Sequence, residues 1–109
     1  MRTASVITLS VLILTSCERK SNKSFREDVL RRDLKALRQL IDGYTEDHKR
    51  CPKNLNDLVT AGYLKEIPQD PITGQRDWKV VNEDEPGCIT DIHSASNRIG
   101  TDGAPYNSW

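Results

Sequence analysis

Hydrophobic and polar positions follow different rules in successive parts of this chain. Residues Val6 to Leu14 form a predominantly apolar run, preceded by Arg2 and followed closely by Glu18, Arg19 and Lys20. From Phe25 onward the pattern becomes helical: Leu30, Leu34, Leu37, Ile41 and Tyr44 alternate steps of four and three, with charged residues between them. That period returns every apolar side chain to one stripe and predicts an amphipathic helix over 25–49. Ser24 stands where an N-cap belongs, Glu27 three residues on completes a capping box, and His48, Lys49 and Arg50 gather at the negative end of the helix dipole. The other faces carry Arg26, Arg31, Arg32, Asp33, Lys35 and Arg38 and read as a solvated surface. A partner helix would explain the stripe, but packing against the domain's own sheet explains it equally well.

Pro52 ends this element. Asn54 then precedes Leu55, Leu58, Val59 and Leu64, with Gly62 as the stop signal of a short second helix at 55–61. The stretch Ile67-Pro68-Gln69-Asp70-Pro71-Ile72-Thr73-Gly74 holds two prolines and a glycine, which exclude regular structure and predict an ordered loop. Trp78 to Val81 and Cys88 to Ile92 read as two strands of an antiparallel hairpin, joined by the acidic connection 82–87. The remainder, Ser94 to Trp109, is polar and glycine-containing but ends in Tyr106 and Trp109, which are expected to fold back onto the sheet. The element order defines an α+β class, and 109 residues leave room for one small core.

The N-terminal run is about half of the roughly 20 residues a membrane-spanning helix needs, and small residues precede Cys17, so residues 1–16 read as a secretory signal. Leu14-Thr15-Ser16-Cys17 resembles a lipobox, in which the cysteine thiol is diacylglycerated and the cysteine becomes the mature N-terminus. Acyl chains contribute about 0.8 kcal/mol per buried CH2, so several together tether a protein that does not span. Residues 17–24 then form the lipidated cysteine and a polar spacer, and 25–109 the folded domain. An ordinary signal peptide with a coincidental cysteine is the plain alternative.

Cys51 and Cys88 remain. In an exported chain two leftover cysteines suggest one disulfide, closing a loop of 36 intervening residues; two buried free thiols are the alternative, and the spacing fits no paired C-x-x-C metal pattern. Without the signal, 16 acidic residues face 15 Lys plus Arg, which offers no electrostatic case for nucleic acid. Asp91 and His93 share a strand face and fall short of a triad or a three-ligand metal site; His48 has no partner positioned by sequence. No phosphate-binding glycine loop, H-E-x-x-H or nucleophile elbow occurs, and the chain is expected not to be an enzyme.

Several blocks together carry a family resemblance. The helix from Val29 to Asp47 is followed by Cys51-Pro52 with Leu55-Asn56-Asp57-Leu58-Val59, then Ala61-Gly62-Tyr63-Leu64, then the 67–74 loop, then Asp91-Ile92-His93-Ser94 and the closing Tyr106 and Trp109. In that order they resemble the globular domain of type II secretion pseudopilins of the protein G type, over nearly all of 25–109. The resemblance implies a long helix packed across a small antiparallel sheet, with a short second helix and a structured loop between. It also implies calcium in the C-terminal loop, for which this sequence offers Asp102, Asn97 and Ser96 as weak candidates, since calcium takes six to eight oxygens.

Two departures bear on function. The family's prepilin motif and long apolar helix, both span and filament core, are replaced by the lipoprotein signal, so an ordinary filament subunit is not expected. Cys51 stands where the family has an aromatic residue before proline, and Cys88 lies in the strand before Asp91, so a bridge would tie the end of the long helix to the sheet. The expected protein is a non-enzymatic, lipid-anchored envelope component facing the periplasm, on the outer membrane if the cell has two, since Glu18 and not aspartate follows Cys17. Its expected partners are proteins of a secretion or pilus-like system; a free-standing envelope binding module is the alternative.

Overall fold

The structure, a computed structural model, describes residues 22–83 and 87–109. The signal segment, Cys17 and residues 84–86 of the acidic connection lie outside the described residues.

Helix α1 runs from Asn22 to His48. Leu, Arg, Lys, Ala and Gln, all good helix formers, dominate its middle. It starts earlier than the pattern predicted, so Ser24 lies inside the helix and not at its cap, and part of the expected spacer is helical. The expected capping box is also absent. Glu27 sits three residues before Leu30, on the apolar stripe itself, and its carboxylate is turned to the C-terminal segment. After His48 the chain turns through Lys49, whose φ of 58° lies in the left-handed region, a conformation that costs a non-glycine residue about 1–2 kcal/mol.

The stripe is buried as expected. Leu30, Leu34, Leu37, Ile41 and Tyr44 pack with Leu58, Trp78, Ile89, Ile92 and Tyr106 into one core. Each aliphatic side chain so buried contributes about 1.5–3 kcal/mol. The opposing face comes from a hairpin of β1 (Lys79–Asn82) and β2 (Ile89–His93), antiparallel and paired Val80 to Ile92 and Val81 to Asp91. The register shifts after Val81, where Asn82 pairs with Ile89, so Thr90 is the extra residue of a β-bulge. Strict alternation would send Ile89 and Ile92 to opposite faces; the bulge lets both enter the core.

Helix α2 (Asn56–Thr60) is short and bounded by local chemistry. The Asp57 amide donates to the Asn54 side chain at 3.0 Å, and the Asp57 carboxylate accepts the Lys53 amide at 2.8 Å. At the far end Gly62 has φ 87°, the Gly62 amide donates to the Val59 carbonyl, and that of Tyr63 donates to Leu58, the paired pattern of a Schellman stop. The 67–74 loop is organised by buried Asp70, which accepts the Ile72 amide at 2.8 Å and the Ser94 hydroxyl at 2.5 Å. Trp78 Nε1 donates to the Pro68 carbonyl at 2.8 Å and anchors the loop to the core.

Cys51 and Cys88 are joined in a disulfide with a Cα–Cα distance of 5.0 Å. Beside it, the Ile89 amide donates to the Pro52 carbonyl at 2.9 Å, so the chain leaving α1 docks along the free edge of β2. The bridge spans 37 positions and thus fixes the helix end to the sheet. Chain entropy makes such a closure worth about 3–4 kcal/mol. The paired substitution Cys51→Ser with Cys88→Ser is expected to lower the unfolding free energy by about that amount, measured by urea unfolding with the m-value fitted separately for each protein. An unaltered unfolding free energy would show that the bridge does not constrain the unfolded chain.

Candidate functional site

The C-terminal segment is held against α1 by two polar clamps. In the first, buried Glu27 accepts the Thr101 amide at 2.9 Å, the Thr101 hydroxyl at 2.5 Å and the Tyr106 hydroxyl at 2.7 Å. Burial pushes the Glu27 carboxyl up, but hydrogen bonds from Thr101 and Tyr106, with Lys23 nearby, outweigh it and hold the group below its ordinary value. Burial and the adjacent Glu27 both push the Tyr106 phenol up.

Arg38 forms the second clamp. Its Nε donates to Asp91 Oδ1 at 2.8 Å, and its Nη2 donates to the Ile92 carbonyl at 2.9 Å and the Trp109 main-chain oxygen at 2.7 Å. His93 Nδ1 lies 2.5 Å from the same Trp109 oxygen; since that oxygen only accepts, Nδ1 carries the proton. The 3.4 Å approach of Arg38 Nη2 to Nδ1 is then two donors sharing one acceptor and not a hydrogen bond. Burial pushes the Asp91 carboxyl up, while the Ile92 amide and Arg38 pull it below the ordinary range and prevail.

Between the flank of α1 and this pinned segment lies a groove of about 320 Å³. Arg31, Leu34, Lys35 and Arg38 form its helix side, and Ala104 and Trp109 face them; Asp102 and Ser108 complete the lining. The Arg31 guanidinium lies 4.2 Å from the centre of the Trp109 ring, a cation–π contact. Trp109 in turn meets Tyr106 edge-on at 5.1 Å. Gly100 permits this packing: a Cβ there would stand 2.7 Å from Trp109 Cζ2 and 3.1 Å from Tyr106 Cε1. Among the buried side-chain nitrogens and oxygens of the described residues, Trp109 Nε1 is the one left without a hydrogen-bond partner. Chemically, the groove offers cations beside an aromatic wall.

Sequence-predicted residues distribute unevenly around it. Cys17 lies outside the described residues, and Cys51 and Cys88 form the disulfide at the sheet edge. The calcium candidates do not present a shared set of free oxygens. Asp102 Oδ1 accepts the Ala104 amide at 3.0 Å, the Ser96 hydroxyl accepts the Arg98 amide at 3.2 Å, and Asn97 is exposed. No cluster of three or more His, Cys, Asp or Glu that could hold a metal occurs among the described residues. Asp91 and His93 do share a face, with His93 Nε2 3.7 Å from Asp91 Oδ2, but both are engaged with Arg38 and Trp109.

His48 is likewise drawn into packing, its ring stacked on Tyr44 at 4.0 Å and 6.0 Å from Tyr63. Tyr63 donates to Asp47, a bond that, with burial, pushes its phenol up to about 12. The residues that sequence reasoning missed are Arg31, Lys35 and Arg38. Their i, i+4, i+7 spacing, which places them along one flank, was the available signal.

No family model, curated protein or solved structure matches this chain.

The acid sensitivity of the fold follows from the first clamp. Glu27 titrates below its unfolded value, near 4.5, so its contribution is complete above that value and is lost as the pH falls through it toward the lower folded value. Glu27→Gln is expected to melt at lower temperature than wild type near about pH 7, and to lose less additional stability between about pH 5 and pH 3. Thermal melts across that range test this; parallel pH profiles for both proteins would contradict it.

Proposed function

We propose that this chain is a non-enzymatic, lipid-anchored cell-envelope protein whose domain is of the type II secretion pseudopilin kind. It acts as a protein-interaction component of a secretion or pilus-like system. The observation that carries this reading is the ordered agreement of elements. A long helix buries its stripe against an antiparallel hairpin, and a short second helix and a stapled loop intervene between them. The resemblance implies the same order, and the lipobox-like Leu14-Thr15-Ser16-Cys17 precedes it.

The anchor and the helix fit together physically. α1 is under way by Asn22, so the residues from Cys17 to Asn22 span at most roughly 3.5 Å each. An acylated Cys17 therefore holds the N-terminal end of α1 near the bilayer, with the interaction surfaces of α1 and the C-terminal segment facing the periplasm. No helix among the described residues is long and apolar enough to cross a membrane. A lipid tether cannot supply the continuous helix packing of a pilus shaft, so the domain serves beside such a filament and not within its core.

Deleting the gene in the source bacterium is expected to reduce export of folded proteins through its type II pathway. Wild-type protein, recovered from membranes with an acylated Cys17 by intact mass, restores export, and Cys17→Ser, recovered unacylated and released from the membrane fraction, does not. Unmodified wild-type protein contradicts the anchor; normal export in the deletion strain contradicts the secretion role.

A further inference from the structure

We propose that the outer face of the first turns of α1, with exposed Phe25 at its centre, rests on the surface of a bilayer that carries anionic headgroups. This deepens the anchored reading given above and rests on it: the lipid at Cys17 holds the protein on the membrane, and this face decides which side of the domain meets it.

Helix geometry defines the face. Nine positions, about two and a half turns, separate Phe25 from Leu34, so Phe25 lies opposite the buried stripe. Arg32, seven positions after Phe25 and about two turns on, returns to the same side, with half-buried Val29 between them. Phe25 is 62% exposed, so its ring gains little from the domain's own core. Among the described residues the other large hydrophobic side chain so exposed is Ile99, at 54%. It stands two residues before Thr101, which Glu27 holds against the same end of α1. Both therefore sit toward the end of the helix that leads to Cys17.

Chain length brings a bilayer to this end. The five steps from Cys17 to Asn22 span at most roughly 17 Å, and the three from Asn22 to Phe25 add about 4.5 Å of helix rise. An acylated Cys17 thus keeps Phe25 within about 22 Å of the membrane interface. Aromatic side chains on surface-lying helices enter the headgroup boundary, where an apolar ring leaves water without crossing the bilayer.

Charge favours the same orientation. Arg31 lies beside Asp28 and Arg38 binds Asp91, so neither counts toward the surface. Lys23, Arg26, Arg32 and Lys35 are exposed and make no ion pair among the described residues. Against them stand half-buried Asp33 and Glu27, the latter sealed under Thr101 and Tyr106. From 39 to 48 the helix instead carries Asp42, Glu46 and Asp47 and no Lys or Arg. An anionic surface attracts the first half and repels the second, which tilts α1 with its anchored end down and its acidic end toward the periplasm.

The test uses the acylated mature protein in vesicles of phosphatidylcholine and phosphatidylglycerol whose acyl chains are brominated, so that they quench tryptophan on contact. Flotation with the vesicles reports the anchor, and quenching reports the face. The emission that Phe25→Trp adds to wild type is expected to fall by about half or more relative to unbrominated vesicles, whereas that added by Glu46→Trp is unchanged. Arg26→Glu with Arg32→Glu, or phosphatidylcholine alone, is expected to cut the quenching at position 25 about twofold or more. Lys53→Glu with Lys65→Glu, near the far end of α1, leaves it unaltered. Protein that floats but whose added emission at position 25 is unquenched overturns the proposal, and a blue shift without quenching assigns the face to a second copy. Equal quenching at positions 25 and 46, or equal effects of the two charge pairs, also overturns it. Protein that does not float contradicts the anchor, and the proposal falls with it.

Discussion

The guanidinium of Arg38 is where three parts of this fold meet. It extends from the middle of the long helix to a side chain and a carbonyl of β2 and to the main chain of Trp109. A half-buried guanidinium is tolerable only if its donors find acceptors, because a charged donor stripped of water without a partner costs more than a hydrogen bond returns. Planarity makes the arrangement directional: with Nε fixed on Asp91, the position of Nη2 is set, and with it the place of Trp109. The apolar stripe decides that α1 lies on the sheet. Arg38 fixes how it lies and what lies beside it.

Glu27 repeats this logic nearer the N-terminal end of the helix. It stands on the stripe where a hydrophobic residue would continue the core, and takes hydrogen bonds from Thr101 and Tyr106. The two clamps are eleven positions apart, about 16 Å along the helix, and the segment 98–109 is strung between them. That segment has little regular structure: a single bridge between Ile99 and Pro105 and the 3-10 turn Tyr106–Ser108. Its order comes from side-chain chemistry on the helix and the aromatic pair Tyr106 and Trp109. The groove exists because the clamps hold this segment beside the helix flank while leaving Arg31 and Lys35 on the outside.

Much of the framework was legible in the sequence because it rests on periodicity. The stripe from Leu30 to Tyr44, the stop at Gly62 and the paired strands each leave a local mark, and the cysteine count pointed to the bridge that forms. What escaped depends on contacts between distant positions. Glu27 was read with Ser24 as a local cap because both fit that motif, while the donors that claim it lie 74 and 79 positions away. Arg38 looked like one more surface charge because its acceptors lie 53 to 71 positions away. The bulge at Thr90 was hidden because an extra residue in a strand is silent until pairing is known. The tail aromatics were expected on the sheet; they reach α1 as well, through Glu27 and Arg31.

Hydrogen exchange on the full chain, comparing wild type with Arg38→Ala, tests most directly whether Arg38 orders the C-terminal segment. In wild type, amides bonded within that segment, such as those of Gly100 and Tyr106, are expected to be protected along with the α1 core. In Arg38→Ala, protection is expected to be lost at the Ser108 and Trp109 amides and to fall less toward Tyr106, which Glu27 still holds, while amides between Leu30 and Tyr44 remain slow. Unchanged protection of the C-terminal segment in Arg38→Ala would contradict the account and show that the tail is ordered without the guanidinium.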